Sequence, residues 1–186
     1  MTEQWWSVRV ELLGGGTSGE LWPRPGRVFA VHPRHSLHVL AEAIDDAFAR
    51  WDRSHLHMFE FPSTGLTATE HRHWDVEDED RELDADHTRV DEVLTLSASF
   101  QYTFDLGDNW RHACQIGPAP IDPAAELGIV PNRPLPYWGW GTIPDPYGRM
   151  WDGDDGEQPV PAPPEQPWPW ANAPEATHLT MHCPGQ

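Results

Sequence analysis

The sequence contains no lysine, so all twelve of its basic residues are arginines, and thirty acidic residues outnumber them. The formal net charge is therefore −18 at pH 7. Binding of DNA or RNA depends mainly on cationic side chains that contact phosphate groups, and this charge opposes such contacts. Anionic membrane surfaces are disfavoured for the same reason. The composition thus predicts a protein that has neither nucleic acid nor a membrane as its partner.

We expect the purified protein to show no tight binding to nucleic acid. In a fluorescence-anisotropy titration at physiological salt, a labelled duplex should give a dissociation constant no tighter than about 10⁻⁴ M, the weak end of non-specific binding. A nanomolar dissociation constant that weakens steeply with added salt would contradict this prediction.

Cysteine is scarce, and long hydrophobic runs are absent. Cys114 and Cys183 are the two cysteines, and they form neither a Cys-x-x-Cys motif nor a disulfide framework. No stretch approaches the roughly 20 apolar residues that a membrane-spanning helix needs. The first residues do not combine a basic region with an apolar run, so they do not resemble a signal peptide. These absences predict a cytoplasmic protein with reduced thiols.

Proline and tryptophan are abundant by contrast, with 20 prolines and 11 tryptophans among 186 residues. Sixteen of the prolines follow Gly117, so the composition divides the chain at about that point. The predicted domain covers residues 1–156, with a compact core at about 5–116 and an irregular Pro- and Trp-rich arm at 117–156. Residues 157–186 are predicted to form a proline-rich, flexible tail.

Apolar periodicity predicts strands and one main helix. Residues 5–12 alternate between apolar and polar side chains, and residues 28–31 form a second strand whose flanking prolines suit a sheet edge. Residues 36–51 instead place apolar side chains three or four positions apart, with Ser36 as the N-cap. The stripe consists of Leu37, Leu40, Ile44, Phe48 and Trp51. We expect this stripe to face the sheet.

Two further segments are predicted to be extended. Residues 55–61 form one strand, and residues 100–116 form a β-hairpin around a Gly-Asp-Asn turn. Between them, the acidic run at residues 75–92 is expected to be a solvated loop, closed by a short helix near 91–96.

Histidines and carboxylates of these two extended segments form the candidate site. The predicted pocket consists of His55, His57, Asp105, Asp108, Trp110 and His112. His55 and His57 lie two positions apart on a strand, so both side chains point to one face, which suits metal ligands. A bound metal ion would be held by His55, His57, Asp108 and His112. The alternatives are hydrogen-bonded structural residues, or a metal-free pocket for a small molecule or peptide.

The sequence does not favour catalysis. Ser54 lies beside His55, and Cys114 lies near His112, but neither pair occupies a recognised nucleophile loop. We therefore assign no catalytic residue and predict no cofactor, with a divalent metal ion as the alternative. The expected partner is a protein or small molecule that the sequence does not identify.

Three segments resemble the plasmid pRiA4b ORF-3-like proteins. They are "WDRSHLHMFEF" at 51–61, "YTFDLGDNWRH" at 102–112 and "WGWGTIPDPYGRMW" at 138–151. The resemblance covers roughly residues 5–151. It implies an α+β domain in which one main amphipathic helix packs on a mixed, mostly antiparallel, curved sheet.

The resemblance does not imply a known activity. Some members are labelled resolvase-like passenger proteins of insertion elements, but this chain has no basic DNA-binding end. The sequence therefore favours a cytoplasmic binding or accessory protein without catalysis. A metal-dependent enzyme that uses a His/Asp cleft is the first alternative, and an accessory protein of a mobile element is the second.

Overall fold

The computed structural model describes residues 4–70 and 82–144, which form one large sheet with a helix packed on it. The strands are β1 (Trp5–Gly15), β2 (Gly19–Glu20), β3 (Gly26–Val31), β4 (His57–Phe61), β5 (Leu66–Thr69), β6 (Glu82–Asp84), β7 (Ser99–Phe104), β8 (Trp110–Ile121) and β9 (Leu135–Trp140). The helices are α1 (Leu37–Ala47), α2 (Val90–Val93) and α3 (Pro123–Leu127), with a 3₁₀ turn at Gly16–Ser18.

The strand order is β6-β5-β4-β7-β8-β1-β3-β9, and β2 pairs with β1. Among the described strands, only β5 and β6 run parallel to each other. The predicted α+β fold, with a mixed, mostly antiparallel sheet and one main helix, is confirmed. No helix in the described segments is long and apolar enough to cross a membrane.

The core lies between α1 and the sheet. Val8, Val10 and Leu12 of β1 are fully buried and alternate with the half-buried Arg9 and Glu11, as the sequence pattern predicts. The apolar side chains that α1 buries are Leu37, Leu40, Ala41, Ala43, Ile44 and Ala47. Each large aliphatic side chain contributes about 1.5–3 kcal/mol when buried, so this interface contributes several kcal/mol to stability.

Helix α1 begins where the sequence predicts and ends short of the predicted boundary. The Ser36 hydroxyl accepts a hydrogen bond from the Val39 N–H at 3.3 Å and caps the first turn. The helix cannot continue through Ala49, whose φ of 54° is left-handed. Phe48 is still fully buried, but Trp51 is 40 % exposed and lies outside the helix, so its inclusion in the apolar stripe was wrong.

Regular structure continues beyond the compact core that the sequence predicts. Strand β8 runs past Ile116 to Ile121, and β9, inside the predicted irregular arm, pairs with β3. Strand β3 therefore lies between β1 and β9, and its predicted edge position was wrong. Its flanking prolines lie outside the ladder, so they remove none of its hydrogen bonds. The rest of the arm at 145–156 and the predicted tail lie outside the described residues.

The predicted hairpin is strands β7 and β8, and it lies directly beside β4. His57 is opposite Phe104 in the β4–β7 ladder, so the histidine-bearing strand and the hairpin meet as expected. In the acidic run, residues 75–81 lie outside the described residues. Residues 82–84 form β6 where a loop was predicted, and the short helix predicted near 91–96 is present as α2 at Val90–Val93. Strand β6 has three residues, which is too short to show an alternating pattern, and its partner β5 lies in a separate segment of the chain. Periodicity therefore could not predict it.

Candidate functional site

Side chains from six separate parts of the chain line a cleft of about 520 Å³ along one face of α1. The residues that line this cleft are His38, Glu42, Asp45, Asp46, Arg53, His55, His57, Glu70, Phe104 and Arg133. Residues 38, 42 and 45 are spaced by four and three positions, so they share one helix face beside the apolar stripe. The opposite wall comes from the start of β4 and the end of β5.

His57 is the most deeply buried histidine of the cleft, with 5 % of its surface exposed. It alternates with Met58 along β4 and therefore faces the core side, next to Tyr102 at 5.7 Å between ring centroids. Burial lowers the pKa of His57 from 6.5 to about 4, so its imidazole is neutral at pH 7. Its Nε2 atom is buried and has no hydrogen-bond partner within the described part of the chain.

His38 and Glu70 lie directly beside His57. The Oε1 atom of Glu70 is 3.5 Å from His38 Nδ1 and 3.8 Å from His57 Nδ1, and the two imidazole centroids are 6.2 Å apart. An Asp86 carboxylate oxygen also lies 3.4 Å from His38 Nδ1. One potential ligand atom from each of His38, His57 and Glu70 falls within 4.8 Å of the others. No other group of three such residues occurs in the described segments.

Asp45 provides a buried carboxyl group in the same cleft. The Tyr102 hydroxyl donates a hydrogen bond to its Oδ1 at 2.7 Å, and Arg53 Nη1 lies 3.0 Å from its Oδ2. Burial raises the pKa of Asp45 from 3.8 to about 7, although Arg53 and the Tyr102 hydrogen bond both act to lower it. This carboxyl group can therefore gain or lose a proton near neutral pH.

Three of the pocket residues predicted from the sequence lie together. His55 precedes β4, and its Nδ1 is 3.2 Å from Asp105 Oδ2 while its Nε2 is 3.3 Å from Asp52 Oδ2. His55 and His57 both line the cleft. Asp105 also shapes the hairpin turn, because its Oδ1 accepts the N–H of Gly107 at 3.0 Å.

The other three predicted pocket residues lie elsewhere. Asp108 is exposed at the hairpin turn, where its carbonyl oxygen accepts the Gly16 N–H. Trp110 is buried, and the guanidinium carbon of Arg50 lies over its indole ring, 4.3 Å from the ring centroid. His112 is completely buried and packs edge-on against Phe48, with ring centroids 4.8 Å apart. None of the three lines the cleft.

The sequence reasoning did not identify His38, Glu42, Asp45 or Glu70. The first three could have been found as a polar row at helical spacing, next to the apolar stripe of the same helix. Glu70 has no such local signal, because only the pairing of β4 with β5 brings it to His57.

Residues 8–124 match the family described as plasmid pRiA4b ORF-3-like protein. Among solved structures, the chain is similar to the protein of unknown function MM3350 from Methanosarcina mazei Go1. That similarity covers 75 % of this chain and 71 % of the other, with 22 % sequence identity and a TM-score of 0.55, and it shows the fold alone. No curated protein matches this chain.

Proposed function

This chain belongs to the plasmid pRiA4b ORF-3-like family, and from that premise we propose that it is a non-catalytic protein that binds a small cationic ligand in the cleft. The observation that carries the proposal is the set of carboxylates that converge there. Four acidic side chains and two guanidinium groups line the cleft. The acidic residues are Glu42, Asp45, Asp46 and Glu70, and the arginines are Arg53 and Arg133.

The charge balance of the cleft favours a cation. Arg53 is already engaged with the carboxylates of Asp45 and Asp46, and the buried His57 is neutral at pH 7. A concave site with an excess of one charge concentrates counter-ions of the opposite sign, and the net charge of −18 reinforces this field. An anionic ligand would be repelled from the same surface.

The nucleophile candidates support binding over covalent catalysis. The Ser54 hydroxyl donates a hydrogen bond to Asp52 Oδ1 at 2.6 Å, and among the described residues no histidine accepts from it, so the Ser–His pair of a serine nucleophile is not formed. Cys114 is buried away from the cleft, and burial raises the pKa of its thiol well above the usual value, so the reactive thiolate is not formed.

A metal-dependent enzyme is the second candidate, and the Asp45 carboxyl group is the observation that favours it. A cleft residue with a pKa near 7 is suited to general acid–base catalysis. In that case Asp45→Asn would abolish turnover and leave ligand affinity largely intact. For a binding protein, no turnover would exist to abolish.

The binding function can be tested with three cationic probes, Zn²⁺, Mg²⁺ and putrescine, and with inorganic phosphate as the anionic probe. We expect at least one cation to bind in isothermal titration calorimetry, and Glu70→Gln to weaken it at least about tenfold, since one charge-assisted contact is worth roughly 1.5–3 kcal/mol. Glu60→Gln, a half-buried glutamate of β4 outside the cleft, is the matched control and should bind normally. Binding of phosphate in place of every cation would overturn the proposal.

A further inference from the structure

We propose that the cation is a divalent transition-metal ion held by His38, His57 and Glu70, an inference that rests on the binding function proposed above. The three residues come from helix α1, strand β4 and the residue after strand β5, so the site exists only in the folded protein.

The distances between the side chains fit a metal centre. Tetrahedral zinc with ligands at 2.0–2.1 Å separates its ligand atoms from one another by about 3.3 Å. The Glu70 oxygen lies 3.5 Å from the nearest nitrogen of His38 and 3.8 Å from that of His57. All three ligand atoms lie within 4.8 Å of one another, so side-chain rotations would bring them to bonding distance from one central ion.

The unsatisfied hydrogen-bonding capacity of His57 is an independent indication of a missing ligand. Its Nδ1, the nitrogen that faces Glu70, lies 3.8 Å from that carboxylate, which is beyond hydrogen-bond length. The Nδ1 of His38 is likewise buried without a hydrogen bond among the described residues. Buried polar atoms of this kind cost stability unless something binds them, and a metal ion would bind imidazole nitrogen directly.

The chemistry of the three groups selects the class of metal. Imidazole binds a metal through the lone pair of an unprotonated ring nitrogen. Two imidazoles and one carboxylate suit Zn²⁺ and its transition-metal neighbours, whereas Mg²⁺ and Ca²⁺ prefer oxygen ligands throughout. Asp86, 3.4 Å from His38 Nδ1, is placed to supply a fourth ligand or to orient His38.

The test uses the full chain purified without a polyhistidine tag, stripped with a chelator and titrated with Zn²⁺ and Co²⁺. We expect one ion per chain by calorimetry, visible absorption bands from bound Co²⁺, and a higher melting temperature with metal. His38→Gln and Glu70→Gln should each weaken binding by at least about tenfold. Both residues are partly exposed, so these variants remain informative even where His57→Ala fails to fold.

His32→Ala is the matched control, because it removes a partly buried histidine that packs against Trp5 and does not line the cleft. Zinc affinity should be unchanged in this variant. Loss of zinc binding in His32→Ala, or full retention of it in both His38→Gln and Glu70→Gln, would overturn the assignment. If putrescine binds with dependence on Glu70 and no metal binds, the metal site is wrong and the cationic binding function stands. If neither putrescine nor a metal ion binds, the metal site and the cationic binding function are both wrong.

Discussion

Replacing His112 with asparagine should make the protein much less sensitive to acid. Burial lowers the pKa of His112 from 6.5 to about 3 in the folded protein. Its Nδ1 donates to the Tyr102 carbonyl oxygen at 3.2 Å, so a second proton would have to sit on the buried Nε2, which has no described partner. The unfolded chain therefore takes up a proton below pH 6.5 that the folded protein cannot accept, and the free energy of unfolding falls as the pH is lowered.

The size of this effect follows from the pKa difference. Each pKa unit corresponds to about 1.4 kcal/mol, so between pH 7 and pH 4 the wild type should lose about 3 kcal/mol that His112→Asn does not lose. Urea unfolding at pH 7, 6, 5 and 4 measures this difference. His112→Asn is expected to be the less stable protein at pH 7, and the gap should narrow steadily as the pH falls.

Other groups in the folded protein also titrate in this range and are unchanged by the substitution. The pKa values of His35 and His57, each lowered to about 4, add to acid sensitivity, whereas that of Asp45, raised to about 7, favours the folded state as the pH falls. These contributions are the same in the wild type and the variant, so they cancel when the two free energies of unfolding are subtracted. His87→Asn, which alters an exposed histidine, is the control. Parallel stability curves for wild type and His112→Asn would show that His112 is not held in its neutral form.

Truncating a side chain at the centre of the interface between α1 and the sheet should cause a large loss of stability. Ile44 is completely buried in α1, and Ile44→Ala should lower the free energy of unfolding by about 2–5 kcal/mol through lost burial and the cavity left behind. Glu42→Ala, on the exposed side of the same helix, should change it by less than about 0.5 kcal/mol. Denaturant midpoints of the two variants measure the contrast. Equal midpoints would mean that α1 is not packed on the sheet.

Local periodicity was sufficient to predict β1, α1 and the β7–β8 hairpin. Their side chains repeat every two or every three to four residues, and that repeat reflects which face of each element is buried. The alternation in strand β8 also indicated on which face of the sheet His112 lies. It shares a face with Trp110 and Cys114, and that face is the core. The structure accordingly places His112 in the core and not among the residues that line the cleft.

The tertiary structure alone decided which residues meet. Periodicity states the face on which a side chain lies, but it does not state which strand is adjacent or in what register. The pairing of β9 with β3 and of β4 with β5 joins segments that have no local signal for each other. No local pattern in the sequence therefore marks His38, His57 or Glu70 as a metal ligand. They become a candidate metal site only because α1 packs over the ends of two paired strands.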